Sequence, residues 1–229
     1  LLAGACFVCF PRSLAWPRAE VAGPFGGVYA FLYSFDGPHN LVPSLHIALL
    51  VLLAELYLRR LSGWGMIAGG WWRGAIIAWF ALIALSVLTA HQHHLADVFT
   101  GAALGVLAAY LLPFDRLPAV RRVTQWFIAT RYALATTGAA VLAWLVWPWG
   151  APLVWLAAAL GLYTLAYAGV GTRIFQKRRG RLSWQARVML APVLALQSLW
   201  HAVSARRSAP WDQVADNVLI GGCPGRRAA

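Results

Sequence analysis

The chain has 229 residues, of which 61% are hydrophobic and only 11% are charged. A soluble domain has about a quarter of its residues charged, so this composition argues against a soluble globular fold. Lys and Arg outnumber Asp and Glu by 19 to 7. These cations are concentrated in short connectors between apolar runs, which indicates membrane topology and anionic headgroups rather than a nucleic-acid partner.

The chain opens with an apolar run over residues 1–10. As a helix this run would cover about 15 Å, or half a bilayer. We expect it to be the end of a helix whose start lies upstream, and not a signal peptide, because it has no basic leader. The connector 11–41 is rich in Pro and Gly, and we predict a folded surface loop with an aromatic interfacial stretch over residues 25–35.

Six further apolar segments follow, at approximately 42–58, 72–90, 94–112, 132–149, 152–170 and 186–204. Most are long enough to cross the hydrocarbon core of a bilayer as helices. The predicted fold class is therefore all-α, a polytopic transmembrane helical bundle that is incomplete at its N-terminus.

Charge in the connectors predicts the orientation of these segments. The connectors 59–63, 113–122 and 173–181 carry most of the cations, and we call the side that holds them side Y. Because cationic loops resist translocation, side Y should be cytoplasmic, and side X, with residues 11–41 and 90–94, should face the periplasm or exterior. For segment 186–204 we favour an interfacial or partial helix over a full span, since this keeps Arg206 and Arg207 on the cytoplasmic side.

Two polar clusters stand where predicted helices begin on side X. One is Pro43-Ser44-Leu45-His46, and the other runs from His91 to Asp97. Ionisable groups at that depth are costly unless they have a function. His93 and Asp97 are four residues apart and would share a helix face, whereas His91 and His94 are expected to point elsewhere.

These residue types suit phosphoryl transfer without a metal. A carboxylate beside an imidazole fixes its tautomer and raises its basicity, which prepares His93 for attack on phosphorus with Asp97 behind it. His46 could then protonate the leaving oxygen.

Pro43-Ser44-Leu45-His46 and His93-x-x-x-Asp97 resemble the second and third motifs of the type 2 phosphatidic acid phosphatase superfamily, in its inositol phosphorylceramide synthase-like branch. The resemblance covers about residues 10–112. It implies that His93 is the nucleophile that becomes phosphorylated, that Asp97 supports it, that His46 is the general acid and that Ser44 helps to hold the phosphate.

The sequence differs from the motifs of the superfamily at two positions that would contribute to phosphate binding. The first motif of the superfamily ends in Arg-Pro; Arg18 fits its arginine, but Ala19 replaces the proline. The third motif in the wider family begins Ser-Arg, where this chain has Ser86-Val87. We expect Arg18 and Ser44, with Arg12 or His91, to neutralise the phosphate oxygens.

The tail, with Trp211 to Gly222, resembles the opening strand of dual-specificity phosphatase domains, which would make the C-terminus cytoplasmic. The predicted organisation is a lipid phosphatase-like membrane core over 1–112, additional membrane helices over 113–207, and a tail over 208–229 that is a possible start of a soluble phosphatase domain.

The expected function is an integral membrane lipid phosphatase or phosphotransferase with no cofactor and no metal. Its substrate would be a phospholipid or an isoprenoid or sphingolipid phosphate, and its site would face outward from a bacterial inner membrane. One alternative keeps the chemistry but transfers a phosphorylated headgroup between lipids. Others are a non-enzymatic scaffold or transporter, a metal site built from the histidine cluster, and a polar patch in which Asp97 only caps a helix.

Overall fold

A computed structural model describes residues 2–9, 11, 13, 20–35, 39, 41–61, 66–90, 92–114, 124–178, 180–204, 211–215 and 218–221. Three predicted site residues, Arg12, Arg18 and His91, lie outside these ranges. The chain divides into two compact units, Leu1–Arg116 and Leu117–Ala229. Each unit is described by itself.

Among its described residues the first unit has five helices: α1 Leu2–Cys9, α2 Gly26–Phe35, α3 Leu45–Leu61, α4 Met66–Thr89 and α5 Leu95–Leu111. Helices α3 and α5 lie side by side and run in the same direction. The backbone N–H of Ser44 donates to the carbonyl oxygen of Asp97 over 3.2 Å, and further along Ala48 lies against Gly105. Both helices therefore begin at the same end of the unit.

Helix boundaries in this unit follow from capping groups. Ser44 Oγ accepts the backbone N–H of Ile47 at 3.4 Å, so α3 begins after Ser44 rather than at residue 42 as predicted. At its other end α3 includes Arg59 and Arg60, which we had assigned to a connector. Cations in the last turn are favourable because the C-terminal end of a helix carries partial negative charge.

The stretch 25–35 differs from the sequence prediction. It was expected to be part of a surface loop, but residues Gly26–Phe35 form helix α2. Tyr33 on α2 donates its hydroxyl proton to the carbonyl oxygen of Ala90, at 3.4 Å. This contact joins α2 to the connection between α4 and α5.

The second unit contains α6 Trp126–Leu145, α7 Ala151–Leu165 and α8 Trp184–Ser204. After α7 the chain continues through a π-helical turn, Ala166–Val170, and a 3-10 turn, Gly171–Phe175. The core lies between α7 and α8, where Ala159 and Tyr163 pack with Leu190 and Val193.

The described part of the unit also contains two short hairpins. Strands β1 Lys177–Arg178 and β2 Arg181–Leu182 are antiparallel and connect to α8, and β3 Trp211–Ala215 pairs antiparallel with β4 Val218–Gly221. Helix α6 starts six residues before the predicted 132. Arg131 is tolerated inside it because its guanidinium lies 4.2 Å from the centre of the Phe127 ring.

Four segments of the described chain are long and apolar enough to cross a membrane: Gly70–Thr89, Trp126–Leu145, Ala151–Phe175 and Trp184–Ser204. Only 6 to 22% of the residues in their most apolar windows are buried, so most of their apolar side chains face outward. Segment Trp184–Ser204 was expected to be interfacial or partial. By length and composition it is also one of the helices that can span, and it packs along α7.

Candidate active site

The two polar clusters meet at the end of the first unit where α3 and α5 begin. His46 lies in the first turn of α3. His93 lies in the short connection between α4 and α5, whose backbone folds back on α4. The N–H groups of Gln92 and His93 both approach the carbonyl oxygen of Val87, at 3.2 and 3.4 Å. This connection sets the position of the His93 ring relative to the helix that follows.

The two imidazole rings are in direct contact. Nδ1 of His46 lies 3.4 Å from Nε2 of His93, and the ring centres are 5.7 Å apart with the rings inclined by 67°. The two environments differ, because the His93 side chain is 5% exposed whereas His46 is exposed. His93 is thus the fixed member of the pair, and His46 stands at its open side.

Asp97 lies on the other side of the His93 ring. Its Oδ2 atom is 3.4 Å from Nδ1 of His93, and the same oxygen accepts the backbone N–H of His94 at 2.8 Å. The shorter bond goes to the backbone and caps α5; the longer contact is electrostatic. A carboxylate at Nδ1 favours a proton there and leaves Nε2 as the nitrogen with a free electron pair. That pair faces His46.

Contact between His93 and Asp97 was predicted, but from the wrong geometry. We expected the two residues to share a helix face, whereas α5 begins only at Leu95 and His93 lies in the bend that precedes it.

His94 was expected to point elsewhere, yet its Nδ1 lies 3.5 Å from Oδ2 of Asp97. His94 is the residue before α5 and has an extended backbone, with φ −82° and ψ 162°. Helical spacing therefore does not apply to it.

Two glycines missed at the sequence level hold α3 against α5. A Cβ atom on Gly101 would lie 2.4 Å from the carbonyl oxygen of Ser44, and one on Gly105 would lie 2.8 Å from that of Ala48. Only glycine permits such close approach of two backbones, the packing typical of Gly-x-x-x-Gly in membrane helices. This spacing was visible in the sequence and is the signal that would have identified them.

The predicted phosphate-binding residues are only partly described. Ser44 is fully buried, and its hydroxyl oxygen caps α3. Arg12, Arg18 and His91 lie outside the described ranges, so their predicted roles are untested. In the part of the chain that the structure describes, no group of three or more His, Cys, Asp or Glu residues is arranged to hold a metal ion. The metal alternative included His91, and it is likewise untested.

Glu55 is a buried acid in α3 that stands apart from this cluster. Both Nε and Nη2 of Arg59 approach its Oε1 atom, at 2.7 and 2.6 Å. An ion pair within one helix face therefore accounts for this carboxylate, as the spacing of four residues predicts.

No protein-family model matches the chain, and neither a curated protein nor a solved structure matches it.

Proposed function

We propose that the protein is a polytopic integral membrane enzyme that hydrolyses or transfers phosphate esters of lipids through a phosphohistidine intermediate. One observation carries the proposal: a buried imidazole has a second imidazole 3.4 Å from its Nε2 and a carboxylate 3.4 Å from its Nδ1. Nucleophile, proton donor and supporting base are the groups that metal-free phosphoryl transfer needs. The site would face the periplasm or exterior.

In the proposed reaction Nε2 of His93 attacks the phosphorus of a phosphate monoester. A nitrogen–phosphorus bond forms, the bond from phosphorus to the ester oxygen breaks, and His46 gives its proton to the departing alkoxide. Asp97 stabilises the positive charge that develops on the His93 ring. Water then attacks the phosphohistidine and passes a proton to His46, which releases inorganic phosphate and restores both rings. A lipid hydroxyl in place of water gives the transferase reaction.

The rings must separate for this reaction to occur. Attack in line requires the phosphorus about 3 Å from Nε2 and the leaving oxygen within hydrogen-bond distance of His46, which places the two nitrogens about 6 Å apart. They are 3.4 Å apart here. Because His46 is the exposed partner, its ring is the one that turns outward when the phosphate enters.

The test measures phosphate release from a short-chain phosphatidic acid by the detergent-purified full chain. His93→Ala should abolish release, and His39→Ala, which removes an exposed histidine from the same unit, should leave it unchanged. Brief incubation with substrate labelled in its phosphate should give an alkali-stable, acid-labile label on the protein that His93→Ala lacks. Vanadate, which resembles the pentacoordinate phosphorus, should inhibit.

Three results would contradict the proposal. They are release that survives His93→Ala, indifference to vanadate, or loss of activity in EDTA that a divalent cation restores. The first two would show that His93 does not form a phosphohistidine intermediate, and the third fits a metal site. Analysis of products with a labelled acceptor lipid separates the transferase from the phosphatase, because both use the same three residues.

A further inference from the structure

The second unit carries positive charge with no acidic residue nearby in sequence. Between Asp115 and Asp212 the chain has twelve Lys or Arg residues and no Asp or Glu. Within residues 124–178 and 180–204, which the structure describes, no carboxylate side chain therefore exists to pair with a cation. The counter-charge for these cations has to come from outside this stretch of chain.

Five of the twelve cations lie close together, within residues 173–181, in and beside the β1–β2 hairpin. In the hairpin Lys177 pairs with Leu182 and Arg178 pairs with Arg181, and the turn uses Gly180 at φ +78°. A left-handed φ of this kind suits glycine. The segment is thus a tight hairpin with a defined register.

Hydrogen bonds at its base fix the hairpin to α8. Ser183 Oγ donates to Oε1 of Gln176 at 3.0 Å, and the same oxygen accepts the backbone N–H of Ala186 at 3.1 Å. Gln176 is itself buried. The base of the hairpin is therefore held in a fixed position relative to the start of α8.

Three cations of this segment are exposed. Arg173, Lys177 and Arg181 lie within a stretch of nine residues. Cations that are close together in the chain, in a stretch that contains no carboxylate, favour the binding of an anion.

We infer that the hairpin is a binding site for the phosphate of an anionic phospholipid headgroup. It connects Ala151–Phe175 to Trp184–Ser204, two segments that are long and apolar enough to span, so its cations lie at the membrane surface when those segments cross the bilayer. Headgroup phosphate is the anion present at that depth. This site belongs to the second unit and does not depend on the proposed phosphatase activity.

Equilibrium binding of labelled dihexanoylphosphatidylglycerol to the detergent-purified full chain tests the inference. The double variant Lys177→Gln/Arg181→Gln should bind about 25-fold more weakly, because each cation at a membrane surface contributes about fivefold to the affinity. Arg206→Gln/Arg207→Gln removes the same charge at positions that follow the other end of α8 in the sequence, and should bind like the wild type. Lys177→Arg/Arg181→Lys preserves the charge and should also retain binding.

Salt provides a test on the wild type that does not depend on the folding of any variant. At about 1 M salt, where the Debye length is about 3 Å, binding of the anionic lipid should be largely lost. Equal binding of dihexanoylphosphatidylcholine, equal loss in both glutamine variants, or displacement of the lipid by inorganic phosphate at the same concentration would each overturn the inference. The last result would assign the site to free phosphate.

Discussion

Substitution of Gly101 by alanine tests how the packing of α3 on α5 sets the distance between the two histidines. The new Cβ would lie 2.4 Å from the carbonyl oxygen of Ser44 and 3.1 Å from Cβ of Ile47. An ordinary contact needs about 3.4–4 Å between such atoms, so the two helices must separate by about 1 Å. Backbone cannot move aside as a flexible side chain does. His46, in the first turn of α3, moves with its helix.

The size of the effect follows from the local geometry. Overpacking of this kind costs about 1–3 kcal/mol, against which alanine in place of glycine in a helix gains about 1 kcal/mol. Gly74→Ala is the matched control, because a Cβ at Gly74 in α4 would meet nothing within 4 Å. The difference in stability between the two variants therefore reports the cost of the steric clash alone. A displacement of about 1 Å at reacting groups lowers a rate by about 100-fold.

Two measurements check this prediction: the thermal unfolding midpoint in detergent and kcat for release of phosphate from short-chain phosphatidic acid. We expect Gly101→Ala to unfold at a lower temperature than Gly74→Ala and to lose about 100-fold in kcat with its helical content retained. If Gly101→Ala retains full activity and unfolds no earlier than Gly74→Ala, the α3–α5 contact does not control the separation of the rings, and the reasoning fails.

Three more predictions concern other parts of the molecule. Asp97→Asn keeps an oxygen that can cap α5 but removes the negative charge beside His93. Phosphate release should therefore fall by about 10²–10⁴-fold while the circular dichroism spectrum stays unchanged. If release is normal, the only role of the Asp97 side chain is to cap α5. Glu55→Gln should lower stability by about 1–2 kcal/mol in thermal unfolding and leave kcat unchanged, whereas a lost kcat would indicate a proton relay. In a cysteine-free background, an impermeant maleimide should label Ser204→Cys and Arg181→Cys from opposite membrane faces, since α8 can span; labelling from one face would favour the interfacial helix.

The long apolar helices could be predicted from the sequence because composition and length alone carry the signal. Segment 94–112 agrees with α5 within one residue at each end, whereas α4 begins six residues before the predicted 72 and ends at Thr89. Helix α2 was missed since it begins with Gly26 and Gly27 and has no charged residue or capping signal to mark it. Its contact between Tyr33 and Ala90 is tertiary, and no local pattern reports it.

Part of the candidate site could also be predicted from the sequence. That His46 and His93 lie at the same end of parallel helices followed from counting segments, and the 5.7 Å between their rings agrees with it. The contact of His94 with Asp97 could not be derived, because it depends on the extended backbone of the residue before α5. Whether these groups transfer phosphate remains the prediction that the His93→Ala experiment addresses.

Asp97 contributes to two different structures through two different groups. Its carbonyl oxygen accepts the N–H of Ser44 and so docks the start of α3, while its carboxylate caps α5 and faces the imidazoles. A backbone bond survives any change of side chain. The backbone bond between α3 and α5 can therefore stay in place when the carboxylate is replaced. Mutagenesis, like evolution, can thus alter the reactivity of the site separately from the packing of the two helices.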